Sequence, residues 1–461
     1  MRRVVVLNVV GLTPSLIGRH TPHLAALRDR GAAATIRPPL PAVTCSAQST
    51  YLTGLWPDEH GVVGNGWYFR DLCEVKFWHQ SNKLVRGEKI WETARKLDPA
   101  FTCSNLFWWY NMHSSVDAAV TPRPMYPADG RKLPDLHTRP GNLRQTLQNK
   151  LGQFPLFKFW GPASSIESTR WIASAAIEVD RLRPATLTLI YLPHLDYPLQ
   201  QHGPSSPQIA TALAEVDAEV GRLVAHFGDD CDVIVLSEYG IVDVRRPVHL
   251  NRLLRERGLL AIREELGREL IDFGESRAFA VADHQIAHVY VNDDSLDRAE
   301  LARAIAQAPG VAEVRAGRER ADWRLDHERA GDLVVLAEPD AWFTYYYWLD
   351  DARAPDFART VDIHRKPGYD PVELFLDPAI RFPKAKIAAK LGRRKLGFRV
   401  MMDVIPLDAT LVRGSHGAPT ADAAGPLLIS SRPRLIDGPR YEAVEIRDLL
   451  LRHLTTPAGG G

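Results

Sequence analysis

Residues Pro41 to Asn65 read P-A-V-T-C-S-A-Q-S-T-Y-L-T-G-L-W-P-D-E-H-G-V-V-G-N, and the fold of the whole chain is decided here. An extended segment gives way at Thr44 to a run, Ser46 to Leu52, with helical character. Gly54 supplies a left-handed stop and Pro57 forbids continuation. A hydroxyl therefore sits at a helix N-terminus. The free N–H groups and the positive end of the dipole favour an anion there and help a Thr hydroxyl approach its alkoxide. A hydroxyl is a weak nucleophile, so such a site also needs a base or a metal to activate it.

Outward from this stretch, strands and helices alternate. Val4 to Val10 is a continuous apolar run broken only by Asn8, which predicts a strand buried on both faces. Thr21-Pro22 opens a helix that runs to Gly31. Glu88 to Leu97 and Thr169 to Leu182 read as helices, and Phe101 to Trp109, Thr186 to Leu192 and Asp232 to Leu236 as strands. Ile209, Leu213, Val216, Val220 and Leu223 recur at steps of three and four, one face of a long helix. The aromatic-rich stretch Gly66 to Gln80 looks loop-like, and residues 111–162, rich in Pro, Gly and Arg, look like an excursion over the site. This alternation predicts an α/β fold, a central sheet with helices on both faces.

From Ile286 the texture changes. Strand Ala287 to Val291, helix Asp297 to Gln307 and strands Val311 to Arg315 and Asp332 to Leu336 predict a small α+β insertion. Strand Leu427 to Ile429 and helix Ala443 to Leu454 return to the main sheet. The expected organisation is core over 1–285, insertion over 286–340 and return over 341–461.

Of the 461 residues 45% are hydrophobic and 25% charged, the balance of a globular protein, and a net charge of +1 argues against a nucleic-acid polymer as partner. Lys384 to Arg399 is locally basic and reads as a solvated face. Cys45, Cys73, Cys103 and Cys231 have neither zinc-knuckle spacing nor the density of a disulfide framework. The apolar N-terminal run is short, contains Asn8 and lacks a small-residue cleavage site, and no segment approaches a membrane span. A cytoplasmic location without a membrane partner is the expectation.

Thr44, Leu52, Thr53, Gly54, Pro57, His60, Gly61 and Asn65 match in order and spacing the nucleophile segment P-x-x-T-x-P-N-x-x-x-L-x-T-G-x-x-P-x-x-H-G-I-x-x-N. The chain thereby resembles the type I phosphodiesterase/nucleotide pyrophosphatase family of the alkaline phosphatase superfamily. N-V-V-G-L, G-N-G-W-Y-F-R-D, S-E-Y-G and D-I-H-R-K-P-G-Y-D-P resemble a divergent bacterial branch of it. The resemblance implies an alkaline-phosphatase-like sheet, a Thr nucleophile, and two divalent ions, usually zinc, that activate the Thr and clamp a phosphate.

Residue by residue, the resemblance carries over Thr44 as nucleophile, with Asp196 in Y-L-P-H-L-D and His416 in G-S-H-G as metal ligands. Four positions depart. The first-strand Asp falls on Val10, the His four after Asp196 is Gln200, and the Asp-His pair is Glu238-Tyr239. Glu238 still offers an oxygen ligand, and Asn8, two residues before Val10, an amide oxygen. Tyr239 and Gln200 are poor zinc ligands, so the remaining set suits Mg²⁺ or Mn²⁺ better than zinc. Asp283, His284 and His288 place two imidazoles four apart, on one face of a helix or entering a sheet, and Asp362, His364, Lys366 and Asp370 gather in a loop with Pro367 and Gly368. His194 and His249 are further options, His202 lies two residues beyond Gln200, and Asn65 closes the nucleophile segment.

Two functions follow. The first is a metal-dependent phosphoester or phosphodiester hydrolase, resembling nucleotide pyrophosphatases, acting on a small-molecule phosphoester through Thr44 with metal at Asp196, His416 and Glu238. Trp67, Tyr68 and Phe69 would then stack on a base or ring of the leaving group. The second is a catalytically impaired relative that binds an anionic or phosphorylated metabolite, or a partner protein.

Overall fold

The computed structural model describes residues 1–457. The run at the N-terminus forms β1 (Arg3–Val9), which lies at the centre of a nine-stranded sheet, buried on both faces. The other strands are β2 (Ala32–Arg37), β3 (Cys103–Leu106), β4 (Ala118–Pro122), β5 (Leu136–Arg139), β6 (Leu187–Leu192) and β7 (Cys231–Leu236). A smaller sheet holds β8 (Ala278–Asp283), β9 (Ile286–Val291), β10 (Val311–Ala316) and β11 (Leu333–Ala337) before β12 (Leu427–Ser430) and β13 (Arg440–Glu442) return to the first. The central order is β13-β2-β12-β7-β1-β6-β3-β4-β5. β1 is parallel to both neighbours, Asn8 lying opposite Tyr191 and Leu236.

The helices include α1 (Pro22–Arg30), α2 (Thr44–Thr53), α3 (Ile166–Leu182), α4 (Asp196–His202), α5 (Ile209–Phe227), α6 (Pro383–Lys395) and α7 (Ile446–Thr455). All ten residues of α2 are buried, and Gly54 ends it in the left-handed region at φ +68. The chain leaves β6 into α4 and leaves β7 into Glu238, so both run out at the carboxyl edge beside the start of α2. In open α/β sheets that edge is where ligands bind.

Four expectations need correction. Gly66 to Gln80 is not loop throughout: Gly66–Phe69 pairs with Glu74–Phe77 as a hairpin. Residues 111–162 are not simply an excursion, since β4, β5 and a helix, Leu143–Leu151, lie within them. The strand expected over Phe101 to Trp109 stops at Leu106, because Phe107 takes φ +68. The smaller sheet opens at Ala278 rather than Ile286, and its β8–β9 hairpin settles the Asp283 to His288 segment as strand and turn.

Candidate functional site

Thr44 is the first residue of α2, after Val43 in extended conformation. Its Oγ1 lies 3.2 Å from the Tyr239 hydroxyl, and Tyr239 donates to Asp196 Oδ1 at 3.1 Å. A phenol has one proton, so with Asp196 ionised Thr44 must be the donor in the first bond. Three residues from α2, the end of β7 and α4 thus form one directed chain. Burial pushes the Asp196 carboxyl up to about 7, against the lowering effect of Gln200 and Tyr239.

Gln200, one turn along α4, donates to Asp196 Oδ2 at 2.8 Å and accepts from the Tyr369 hydroxyl at 3.1 Å. Tyr239 and Tyr369 are the outer members of a stack of four rings. Centroids are 3.5 Å apart between Tyr239 and His416, 3.6 Å between His416 and His284, and 3.7 Å between His284 and Tyr369. The two imidazoles are inner rings, the two phenols are tied to Asp196 and Gln200, and the whole closes on itself.

The imidazole tautomers follow from their partners. His416 Nδ1 faces the Ala42 carbonyl at 2.8 Å, and His284 Nδ1 faces Asp283 Oδ1 at 2.9 Å. Both acceptors require a proton on Nδ1, which leaves Nε2 as a bare lone pair. Neither Nε2 has a partner, and burial holds both rings far below the ordinary imidazole range, hence neutral. His284 adopts φ +65, a region a non-glycine residue rarely enters, and its carbonyl accepts from Phe343 N–H at 2.7 Å.

Behind Thr44, Glu238 Oε1 accepts from the side-chain amides of Asn8 and Gln48 while Oε2 is unpartnered. Burial pushes Glu238 up to about 8, so it is mostly protonated at neutral pH and places little charge beside Thr44. Gln48 also accepts from the Trp109 N–H at 2.6 Å. Asn65 accepts from the Cys45 N–H at 3.0 Å and donates to Asp283 through both its backbone and side-chain nitrogens, locking the start of α2 onto β8. Asp283 is raised to about 6 by burial.

Thr44, Asn65, Asp196, Tyr239, His284, Tyr369 and His416 line one pocket with Trp78, Trp109, Phe159, Trp160, Tyr191, Tyr197 and Ile363. Eight of these fourteen are Phe, Tyr or Trp and none is Lys or Arg. Free acceptors and aromatic faces, rather than cations, meet whatever enters.

Several candidates lie outside this arrangement. His288 is a structural hinge pin, Nε2 facing the Val63 carbonyl at 2.8 Å and Nδ1 accepting from Gly331 N–H at 3.2 Å. Lys366 is buried between Asp370 and Glu373, at 2.7 and 2.8 Å. His364 faces the Phe77 carbonyl at 3.4 Å and does not line the pocket. Tyr68 packs against Phe279 and Tyr290 in the second core, so the Trp67–Phe69 stretch is no stacking platform. Gln48, Tyr369 and Trp160 belong to the site, though the sequence motifs give them no role. Gln48 carried a usable signal, lying one turn after Thr44 on the same helix face.

The model of the family described as type I phosphodiesterase/nucleotide pyrophosphatase matches residues 4–370. The chain belongs to the type I phosphodiesterase/nucleotide pyrophosphatase family. An uncharacterized pyrophosphatase/phosphodiesterase of Schizosaccharomyces pombe is 24% identical over 259 residues, 54% of this chain and 46% of that protein. Ectonucleotide pyrophosphatase/phosphodiesterase family member 1 of Rattus norvegicus is 25% identical over 230 residues, 48% of this chain and 21% of that protein. The chain thus matches less than half the length of these relatives. Among solved structures, phosphonoacetate hydrolase of Sinorhizobium meliloti 1021 with phosphonoformate superposes at TM-score 0.62 and 13% identity, covering 98% of this chain and 96% of that one. Murine ectonucleotide pyrophosphatase/phosphodiesterase 5 with AMP superposes at 0.59 and 14%, covering 100% and 98%. The fold is alkaline-phosphatase-like.

A two-zinc centre of the family's type does not fit the residues present. Both Asp196 oxygens are engaged by Tyr239 and Gln200, Glu238 Oε1 by two amides, and the phenol of Tyr239 occupies the space between Thr44 and Asp196. Val10 is buried without a polar atom, and the two imidazoles stack on each other rather than converging on a point. Among the described residues no group of three or more His, Cys, Asp and Glu side chains is placed to hold a metal ion. Of the expected ligand set, Asp196 and His416 line the pocket and Glu238 lies behind Thr44. No helix among the described residues is long and apolar enough to cross a membrane.

Proposed function

We propose that the pocket is a phosphoester hydrolase centre in which Thr44 attacks phosphorus and its proton leaves through Tyr239 to Asp196. The observation that carries this reading is the directed chain Thr44–Tyr239–Asp196. A base with a pKa near the working pH is the most effective, and Asp196 at about 7 meets that condition. The Thr44 Oγ1–P bond forms as the bond from phosphorus to the leaving oxygen breaks, and water then hydrolyses the phosphothreonine. The α2 N-terminus supplies the positive potential for the phosphoryl oxygens.

The walls select the leaving group. Aromatic faces favour a planar organic part, and the unpartnered Nε2 atoms of His284 and His416 accept from a hydroxyl or amine on it. An aryl alcohol leaves without prior protonation, so a relay that only takes protons suffices for it. We therefore assign small aryl phosphoesters as the substrate class.

A second reading rests on a specific observation: no Lys or Arg lines the pocket, so nothing cationic opposes charge built up at phosphorus. The site then holds an aromatic metabolite without cleaving it. Incubation with bis(p-nitrophenyl) phosphate separates the two. Release of p-nitrophenolate that disappears in Thr44→Ala, with a p-nitrophenyl phosphoryl adduct found on Thr44 by mass spectrometry after acid quench, supports the hydrolase. Saturable binding without release overturns it in favour of the second reading.

A further inference from the structure

The second half of the chain carries a surface that the pocket does not use. From Arg381 to Met402 there are eight Lys and Arg residues and no Asp or Glu. The segment contains α6, none of whose residues is buried. Large apolar side chains stand in solvent along it: Phe382 is 65% exposed, Leu396 77% and Phe398 58%, with Leu391 and Met401 also open. So dense a cluster of exposed apolar groups on one short segment marks an interaction surface.

The segment is held in place from one side. Lys386 and Lys390 turn inward to Asp403, and Ile387 and Met402 pack partly against the second core. The opposite face is left free. Lys384, Arg394, Lys395 and Arg399 have no ion-pair partner among the described residues, and Arg393 lies over the Phe398 ring, 5.9 Å from its centroid. Asp129, held below the usual carboxylate range chiefly by the Arg131 backbone N–H, also feels the Arg399 charge. That places the exposed Tyr126 loop on the same side as the C-terminal end of α6.

The mixture decides the partner. Nucleic acid would engage the cations but would gain nothing from Phe382, Leu396 and Phe398 in solvent. A lipid surface of negative charge takes both, cations at the phosphates and apolar rings at the acyl boundary. We propose that residues 381–402 dock the protein on an anionic lipid surface. The seat is peripheral: α6, 13 residues long and rich in Lys and Arg, is too short and too polar to span a bilayer and lies in the plane of the headgroups.

Co-sedimentation of the full chain with large vesicles tests this. The protein should partition to vesicles containing phosphatidylglycerol, not to phosphatidylcholine alone, and less at ~0.5 M salt. Two double variants, Leu396→Glu with Phe398→Glu and Arg393→Glu with Arg394→Glu, should each weaken partition by ~10-fold or more. Leu396, Phe398 and Arg393 are exposed and Arg394 is half-buried, and an unchanged thermal melt shows that the fold is kept. No partition to anionic vesicles, or partition unaffected by the Leu396→Glu/Phe398→Glu variant, overturns the proposal. Binding to duplex DNA that this variant retains, without vesicle binding, overturns it in favour of a nucleic-acid surface.

Discussion

The Tyr239 ring lies flat on the His416 imidazole, with centroids 3.5 Å and planes 4° apart, while its hydroxyl bridges Thr44 and Asp196. One side chain thus fills the space between Thr44 and Asp196 and covers His416. In the proposed reaction its hydroxyl relays the Thr44 proton.

Tyr239→Phe isolates the relay from the stack. The ring stays, but Thr44 and Asp196 each lose a partner in a buried setting. Turnover of an aryl phosphoester should fall by ~10²- to 10⁴-fold, and stability by about 1–3 kcal/mol. Steady-state kinetics beside a urea melt checks both; unchanged kcat would remove Tyr239 from the mechanism.

Thr44→Ala should lower kcat by at least ~10³-fold while KM for the aryl ester stays within a few-fold, because the pocket walls bind the ring independently of the hydroxyl. A parallel rise in KM would instead place Thr44 in binding.

Glu238 gives a stability signature. Its pKa is raised from 4.5 in the unfolded chain to about 8 in the folded state, by burial first. The folded state therefore binds more protons in this window, and stability present below pH 4.5 is lost as pH rises through about 8. Glu238→Gln keeps an acceptor for Asn8 and Gln48 and removes the charge, so its melting temperature should fall less than wild type between pH 5 and pH 9, roughly the span of that titration. Equal pH dependence in the two proteins would show Glu238 ionised in the fold.

Lys366 holds a buried ion-pair cluster and does not line the pocket. Its ammonium sits between Asp370 and Glu373, and Glu373 in turn accepts from the Trp160 indole that forms a pocket wall. Lys366→Met leaves two buried carboxylates facing each other and should cost about 3–5 kcal/mol. Chemical denaturation reads the loss, and Trp160 emission should shift with it.

The parts of this site visible in the sequence were those whose chemistry is local. Thr44 announces itself through the Gly54 and Pro57 that end its helix, Asp196 through the strand before it, and His416 through a flanking Gly417 that takes φ +111. The alternation of strands and helices gave the central sheet for the same reason. The ring stack was not legible, because Tyr239, His284, Tyr369 and His416 come from four distant segments and no periodicity encodes which way a ring faces. β4 and β5 were hidden by their shortness and by Pro and Arg around them, which a sheet edge tolerates. His284 and His288 at a spacing of four fit a helix face or a hairpin equally, and only the pairing of Asp283 with Ile286 separates the two.

In the proposed reaction Thr44 is served by Tyr239 and Asp196 without a bound ion. The most direct measurement is metal content by elemental analysis, beside turnover of bis(p-nitrophenyl) phosphate, before and after chelator treatment. Less than stoichiometric metal and turnover unchanged by the chelator are expected. Stoichiometric zinc or manganese that leaves together with activity, and restores it on addition, would contradict this reaction.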